Sequence, residues 1–393
     1  MEAAQKIVFK WEENIASIKA CEWNNLALKS ETPLFEYEWL GALENSGCVG
    51  LARDWKPWIL TARRNRELIA AALFYEKNNS EGEFIPSYLW NEVAQNLGLG
   101  YYPKLLGMVP FSPISAYQFL EAEESDEELT RGLFNEIFKL YEDKNWQGLH
   151  FSFTTSSWKE KTAKLGFFVW EHPCFYWLNE GYRDWEDFLD IFTKGQRHNI
   201  RREEEKLFKS GIKVEFLAGS EIPEAWADLM YQYYYNTNQK YWPYNSLYLN
   251  KEFFQEIFAV FKHRLALGAA FLSGQAEPFA LSLFLQKGPR LWGRYWGCRS
   301  YIPFLHFSLC YYEPIRFAIA NKISFFDPGI GTEHKARRGF RSGLAYSLHL
   351  FKSRELNFLF ATNLKNLNKQ TRKVVDELNK SMPLRENRAF QYS

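Results

Sequence analysis

A chain of 393 residues, 46% hydrophobic and 24% charged, has the composition of a globular protein with two or three domains, each able to bury its own core. A net charge of +1 excludes DNA binding through overall basicity, so any anion recognition must be local. Five cysteines with no C-x-x-C pair support neither a disulfide framework nor a zinc ribbon; with no apolar leader and no uncharged membrane-length run, the expected location is cytoplasmic, without a membrane span.

In chain order, a short helix is expected at 33–44, followed by strands at 58–62 and 68–75 around the turn R-R-N-R-E. A helix at 87–97 precedes a strand at 104–109, stopped by Pro110 and Pro113. The acidic run E-A-E-E-S-D-E-E at 121–128 reads as a solvated loop whose last carboxylates favour the start of a helix. That helix follows, with Leu129, Leu133, Ile137, Leu140 and Tyr141 at its period. Gly148 leads into a strand at 149–153, then a helix at 157–165 and a strand at 167–170.

The charged segment 194–210, K-G-Q-R-H-N-I-R-R-E-E-E-K-L-F-K-S, reads as a helix ended by Gly211. Its charges at three- and four-residue spacing fit an exposed helix laced by ion pairs, while Lys194, Arg197 and His198 at its start could contact a phosphate or carboxylate. Helices at 221–240 and 250–261 flank the aromatic loop Y-W-P-Y-N, and strands at 264–271, 278–285 and 290–296 have meander spacing. A helix at 305–320 contains Pro314, which removes one hydrogen bond and clashes with the Cys310 carbonyl, at a cost of about 3 kcal/mol unless the helix kinks or restarts. A strand at 323–326 follows, and the tail is helical from 366 to 380. Each half repeats strand, crossover helix, strand, the signature of a right-handed βαβ unit.

Polar chemistry is concentrated at 291–350, which ends in D-P-G-I-G-T-E-H-K-A-R-R-G-F. Glu333 and His334 are candidate bases beside a Gly-spaced turn; the alternative is a Glu that orients a structural His or caps the turn. Lys335, Arg337 and Arg338 are candidate anion clamps or a solvated basic face. Strand alternation puts Arg294 and Trp296 on one face and Tyr295 on the other, and Tyr295 or Tyr346 could protonate a leaving group. His306 could cap a helix or bind, and His349 could be core or site. Q-N-L-G-L-G at 95–100 has the glycines of a CoA pyrophosphate loop but lies between helix and strand in the wrong order, and 298–304 contains no glycine. No spacing makes a metal site, and no G-x-S-x-G is present.

The pieces R-H-N-I-R-R-E, G-R-Y-W-G, L-H-F-x-x-C-Y-Y and G-x-E-H-K-x-x-R-G-F, in this order, resemble the FemAB-like N-acyltransferases of the GNAT superfamily. Weaker matches extend the similarity over about 85–350. The resemblance implies an α/β (α+β) chain of two tandem GNAT-like domains with mixed twisted sheets flanked by helices: 1–170, 171–360 with the charged helix, and a basic helical tail at 361–393. It also implies transfer of an acyl group from an activated donor, acyl-CoA or similar, to a small-molecule or peptide amine, with no tightly bound cofactor. Fem enzymes take an aminoacyl group from charged tRNA, and they share the R-x-N-I-R and D-x-G positions, here Arg197, Asn199, Ile200, Arg201, Asp327 and Gly329. The catalytic residues expected are thus Glu333, His334 and Tyr295. Arg197, Asn199, Arg201, Arg294, Trp296, His306, Lys335, Arg338 and Tyr346 are expected to bind substrate. The chain departs from the family pattern in the middle strand, where Cys174, Phe175 and Tyr176 stand for Gln-Phe-His, at Ser308 for Glu and at Thr332 for Gly. A tRNA-dependent aminoacyl or peptidyl transferase and a non-catalytic binding module remain the alternatives.

Overall fold

The computed structural model describes residues 6–122, 127–240, 246–331 and 333–385. The middle of the acidic run, the Y-W-P-Y-N loop and Thr332 lie outside them. The chain packs into two compact units, one of residues 1–172 and 344–372 and the other of 173–343 and 373–393.

The first unit opens with β1 (Ile7–Glu12), α1 (Ala20–Ala27), α2 (Tyr37–Asn45), β2 (Lys56–Arg64) and β3 (Glu67–Lys77). It continues through α3 (Tyr88–Asn96), β4 (Lys104–Gly107), β5 (Leu120–Glu121), α4 (Glu127–Asp143), β6 (Gly148–Thr154), α5 (Ser156–Ala163) and the first half of β7 (Phe168–Leu178). The second unit holds α6 (Trp185–Leu189), α7 (Lys194–Lys209), β8 (Ile212–Ala218), α8 (Trp226–Gln239), α9 (Lys251–Val260), β9 (Leu265–Leu272), β10 (Ala280–Lys287) and β11 (Arg290–Cys298). Then come α10 (Leu305–Phe307), a π turn (Ser308–Tyr312), α11 (Glu313–Ala320) and β12 (Phe325–Asp327). Strand β13 (Arg341–Phe351) and helix α12 (Arg354–Lys380) begin in one unit and end in the other.

In the first unit, β1, β2 and β3 form an antiparallel meander, β4 pairs antiparallel with β3, and β4 and β6 pair in parallel. Helix α4 is the crossover: Glu127 and Glu128 favour its N-terminus, and Leu129, Leu133, Phe134, Ile137 and Tyr141 form its buried stripe. The second unit repeats the logic. Strands β8, β9, β10 and β11 run antiparallel, and β12 returns parallel to β11 after the α10–α11 crossover. Both βαβ units read from the sequence are therefore present.

Three elements differ from expectation. Strand β1 was not foreseen, α12 starts at Arg354 rather than near 366, and β13 carries residues whose alternation was overlooked. The crossover helix solves its proline problem by changing register. In the π turn the Glu313 N–H reaches the Ser308 carbonyl, α11 restarts with Pro314 in its first turn, and Ser282 Oγ donates to the Leu309 carbonyl at 2.9 Å. Proline has no N–H to offer that carbonyl, and the serine supplies the donor.

Gly297 sets the seat of α8 on β11: an added Cβ would stand 1.9 Å from the Tyr233 carbonyl oxygen. A backbone atom cannot swing aside, so Gly297→Ala is expected to destabilise the protein by about 1–3 kcal/mol. Urea denaturation of the variant checks this; an unchanged midpoint would show that the helix moves freely.

Candidate functional site

Strand β12 ends at Asp327, and the chain turns sharply through Pro328 and Gly329, whose φ of +78° suits glycine. Asp327 Oδ1 accepts from the Gly329 N–H at 2.7 Å, an Asx turn that fixes the carboxylate. The 3₁₀ turn Glu333–Arg338 then brings Lys335 back under the loop. Lys335 is 2% exposed, and its Nζ donates to the Gly329 carbonyl at 2.6 Å and lies 5.5 Å from the centre of the Phe175 ring. A Cβ at Gly331 would lie 2.7 Å from that ammonium, so the glycine leaves it room.

Burial tunes both charges. It pulls the Lys335 ammonium down to about 8, against the attraction of Asp327 and of the Cys310 and Cys174 thiols. It also pushes the Asp327 carboxyl up to about 6, against the Gly329 N–H and the positive charges of Lys335 and Arg294. An acid and a base whose pKa values both approach neutrality are suited to exchanging protons there. The flanking thiols are not nucleophiles: burial raises Cys174 to about 12 and raises Cys310 as well.

Arg338 ties the turn to the rest of the unit. It is 4% exposed; its Nη2 donates to the Glu203 carboxylate at 3.0 Å, its Nε to Tyr312 Oη at 3.0 Å and its Nη1 to the His334 carbonyl at 2.9 Å. Its guanidinium lies 3.4 Å from the centre of the Phe307 ring. The expectation that Arg338 clamps an anion therefore gives way to a supporting role, because the fork of donors is taken up inside the protein. Glu203, from the charged helix α7, was read only as part of an ion-paired face.

A line of rings adjoins the turn. Trp296 and His306 lie 4.5 Å apart, His306 and Tyr311 5.2 Å, and Phe307 and His334 6.1 Å between centroids. Burial, then the charges of Lys335 and Arg338, hold His306 at about 4, so at neutral pH it is an uncharged imidazole.

The remaining candidates are dispersed. Glu333 and His334 are exposed on the turn, two residues and one residue before the buried lysine. Register shifts between Leu283 and Phe284, leaving Arg294 as the extra residue of a β-bulge on β11. The bulge interrupts strict alternation. Tyr295 packs against Tyr234 and Phe254 of α8 and α9, whereas Trp296 packs on His306. Arg197 is ion-paired with Asp190 and Arg201 with Glu186, so neither guanidinium stands free, and Asn199 is half-buried on the same helix. Tyr346 belongs to the first unit, with the Lys159 ammonium 4.2 Å from its ring centre. His349 is a buried residue of that unit.

Among the described residues, no group of three or more His, Cys, Asp or Glu could hold a metal, and no helix is long and apolar enough to cross a membrane.

The fold is similar to that of the solved structure of FemX, at a TM-score of 0.54 and 10% identity over 89% of this chain and 99% of that one. A conserved protein of unknown function from Bacteroides thetaiotaomicron gives 0.52 at 8% identity, covering 87% of this chain and 99% of its own. The C-terminal domain of a putative lysylphosphatidylglycerol synthetase from Agrobacterium fabrum gives 0.51 at 10%, covering 88% and 96%. The architecture is thus the Fem-like pair of GNAT-like α/β units that the sequence implies. No curated protein matches the chain. The model of one family, described by peptidoglycan biosynthesis and recognition, matches residues 14–386, so the chain belongs to the FemAB-like family.

Proposed function

We propose that the protein is an N-acyltransferase that moves an acyl group from an activated donor to an amine at the Asp327–Lys335 turn. The observation that carries this reading is the buried Lys335 ammonium held at the Gly329 carbonyl beside a fixed carboxylate. In the reaction, the amine nitrogen attacks the acyl carbon and a C–N bond forms. The developing oxyanion is stabilised by the Lys335 N–H donors, which are already oriented and shielded from water. The proton released by the amine passes to the Asp327 carboxylate. The C–O or C–S bond to the carrier then breaks, and the carrier leaves with a proton from the protonated Asp327.

The reading of the carrier rests on the entry to the crossover helix. A CoA pyrophosphate is ordinarily gripped by free backbone N–H groups of a glycine-rich loop at a helix start. Here the loop before α10 contains no glycine, α10 spans only Leu305–Phe307 before the π turn, and its cap is Phe304 in the left-handed region. These features favour an aminoacyl ester of tRNA, the Fem-type donor, over acyl-CoA.

Discharge of acetyl-CoA and of alanyl-tRNA, each with a lysine-containing peptide as acceptor, separates the two. Transfer from the RNA ester alone supports the Fem-type reading, and transfer from acetyl-CoA alone removes it. The active donor should give a bell-shaped pH profile of kcat/KM. Activity should rise as Asp327 loses its proton near about 6 and fall as Lys335 loses its own near about 8. A profile flat from pH 5 to 9 would take proton exchange away from this pair.

A further inference from the structure

We propose that a row of imidazoles in the first unit is a pH-sensitive seat for the first half of α12, holding the helix while the row is neutral and loosening it as the row takes up protons. His172 Nε2 and Ser347 Oγ lie 2.7 Å apart, Ser347 Oγ and His349 Nε2 2.8 Å, and His349 Nδ1 and His150 Nδ1 3.0 Å. All four side chains are buried, on β7, β13 and β6. The far nitrogen of His150, Nε2, has no hydrogen-bond partner among the described residues and closes over Gly148, where an added Cβ would stand 2.2 Å away.

The row lies beneath the helix. Leu356, Phe360 and Leu364 of α12 pack with Trp90, Tyr101, Trp170 and Phe351, and the Phe360 and His349 rings are 5.0 Å apart. From α12 and α3 this cover is apolar. Two ion pairs border it: Lys104 of β4 is held by Glu83 at 2.9 Å, and Glu171 of β7 is held at 2.6 Å by Arg372, which α12 itself carries beyond its apolar turns. Each carboxylate therefore already has a cation, and Lys104 repels a further positive charge.

Proton counting shows how the row behaves. With three neutral rings every bond can be made in either direction along the chain. One added proton on His349 still satisfies all three bonds, with the imidazolium donating both ways, but it places an uncompensated charge under phenylalanine and leucine. A second added proton on His150 sets two donors against each other, and one on His172 leaves both rings donating to Ser347 Oγ, so that the hydroxyl no longer donates along the row. Burial holds His172 at about 4 and lowers His150 and His349, so the closed helix resists protonation that an opened one would accept. A depressed imidazole has no effect on closure above its ordinary 6.5 and opposes closure progressively below it. At pH 5 the opening equilibrium should shift by about thirtyfold for each imidazole exposed.

Hydrogen exchange of the full chain at pH 7.5 and pH 5, corrected for intrinsic rates, tests this. Amides of 354–372 are expected to lose protection by about thirtyfold or more at pH 5, while those of β2 and β3 keep theirs. Unchanged protection of the helix at pH 5, or equal loss in β2 and β3, would overturn the proposal. His349→Gln keeps a donor and an acceptor but cannot charge, and should retain more helix protection at pH 5 than the parent. If that variant does not fold, His172→Gln at the rim of the row serves the same purpose. Loss equal to the parent's in the folded variant would also overturn it.

Discussion

Replacing Lys335 with methionine is expected to lower acyl transfer by about a hundredfold or more while leaving the protein folded. The two effects separate because of where the lysine lies. Its ammonium is buried and makes a hydrogen bond to the Gly329 carbonyl, so it costs desolvation that methionine does not incur, and the stem volumes are alike. Its value is realised when negative charge develops on the acyl oxygen. Single-turnover transfer and a thermal melt on the same preparation are the check. A variant with the parent's rate would show that the oxyanion is stabilised elsewhere. His334→Ala provides the contrast: its imidazole is exposed, and its structural tie to the turn runs through the main-chain carbonyl that Arg338 binds. Its loss should stay within about tenfold, since general acid–base catalysis by a positioned group contributes about a hundredfold or more.

Replacing Arg338 with methionine should have the largest effect on stability, about 3 kcal/mol or more. The guanidinium satisfies Glu203, Tyr312 and the His334 carbonyl together, so removing it strands a carboxylate that is only partly reached by solvent. Chemical denaturation should show the shift, and Glu203→Leu in the same chain should recover part of it by removing the stranded charge. No recovery would mean that the loss comes from the packing on Phe307 rather than from the ion pair. Because the Arg338 bonds also hold the turn that carries Lys335, transfer should fall in the single variant even at temperatures where it remains folded.

Much of the frame was legible in the sequence because its signals are local. The α4 stripe is periodic over four turns, and β9 to β11 are separated by turn residues at short spacing. The short strand β1 escaped because a half-exposed strand with mixed charges carries a weak period, and β13 because three successive buried residues, Ser347 to His349, interrupt its alternation. At the site, the segment from Asp327 to Arg338 was identifiable by its density of polar residues, but the individual roles were not. The preference for Lys335 over His334 rests on exposure, and exposure depends on how a 3₁₀ turn folds back on Gly329 and sits against Phe175, a residue from β7. Arg338 looked like a clamp because its partner Glu203 lies 135 residues away on a helix whose charges read as a solvated face. Tyr295 and Trp296 lie on opposite faces of β11 as their alternation implies, and the bulge at Arg294 alters the alternation only on the N-terminal side of Tyr295.

The proposed reaction requires that Lys335, buried, and Asp327, half-buried in the same turn, exchange protons near neutrality. The most direct measurement is a pH titration of the Lys335 side-chain nitrogen by NMR in isotopically labelled protein, with Lys335→Met identifying the signal. The account predicts a midpoint near about 8, well below the ordinary 10.5, with a smaller inflection near about 6 as Asp327 ionises beside it. A single midpoint at 10.5 or above, with no inflection, would contradict it.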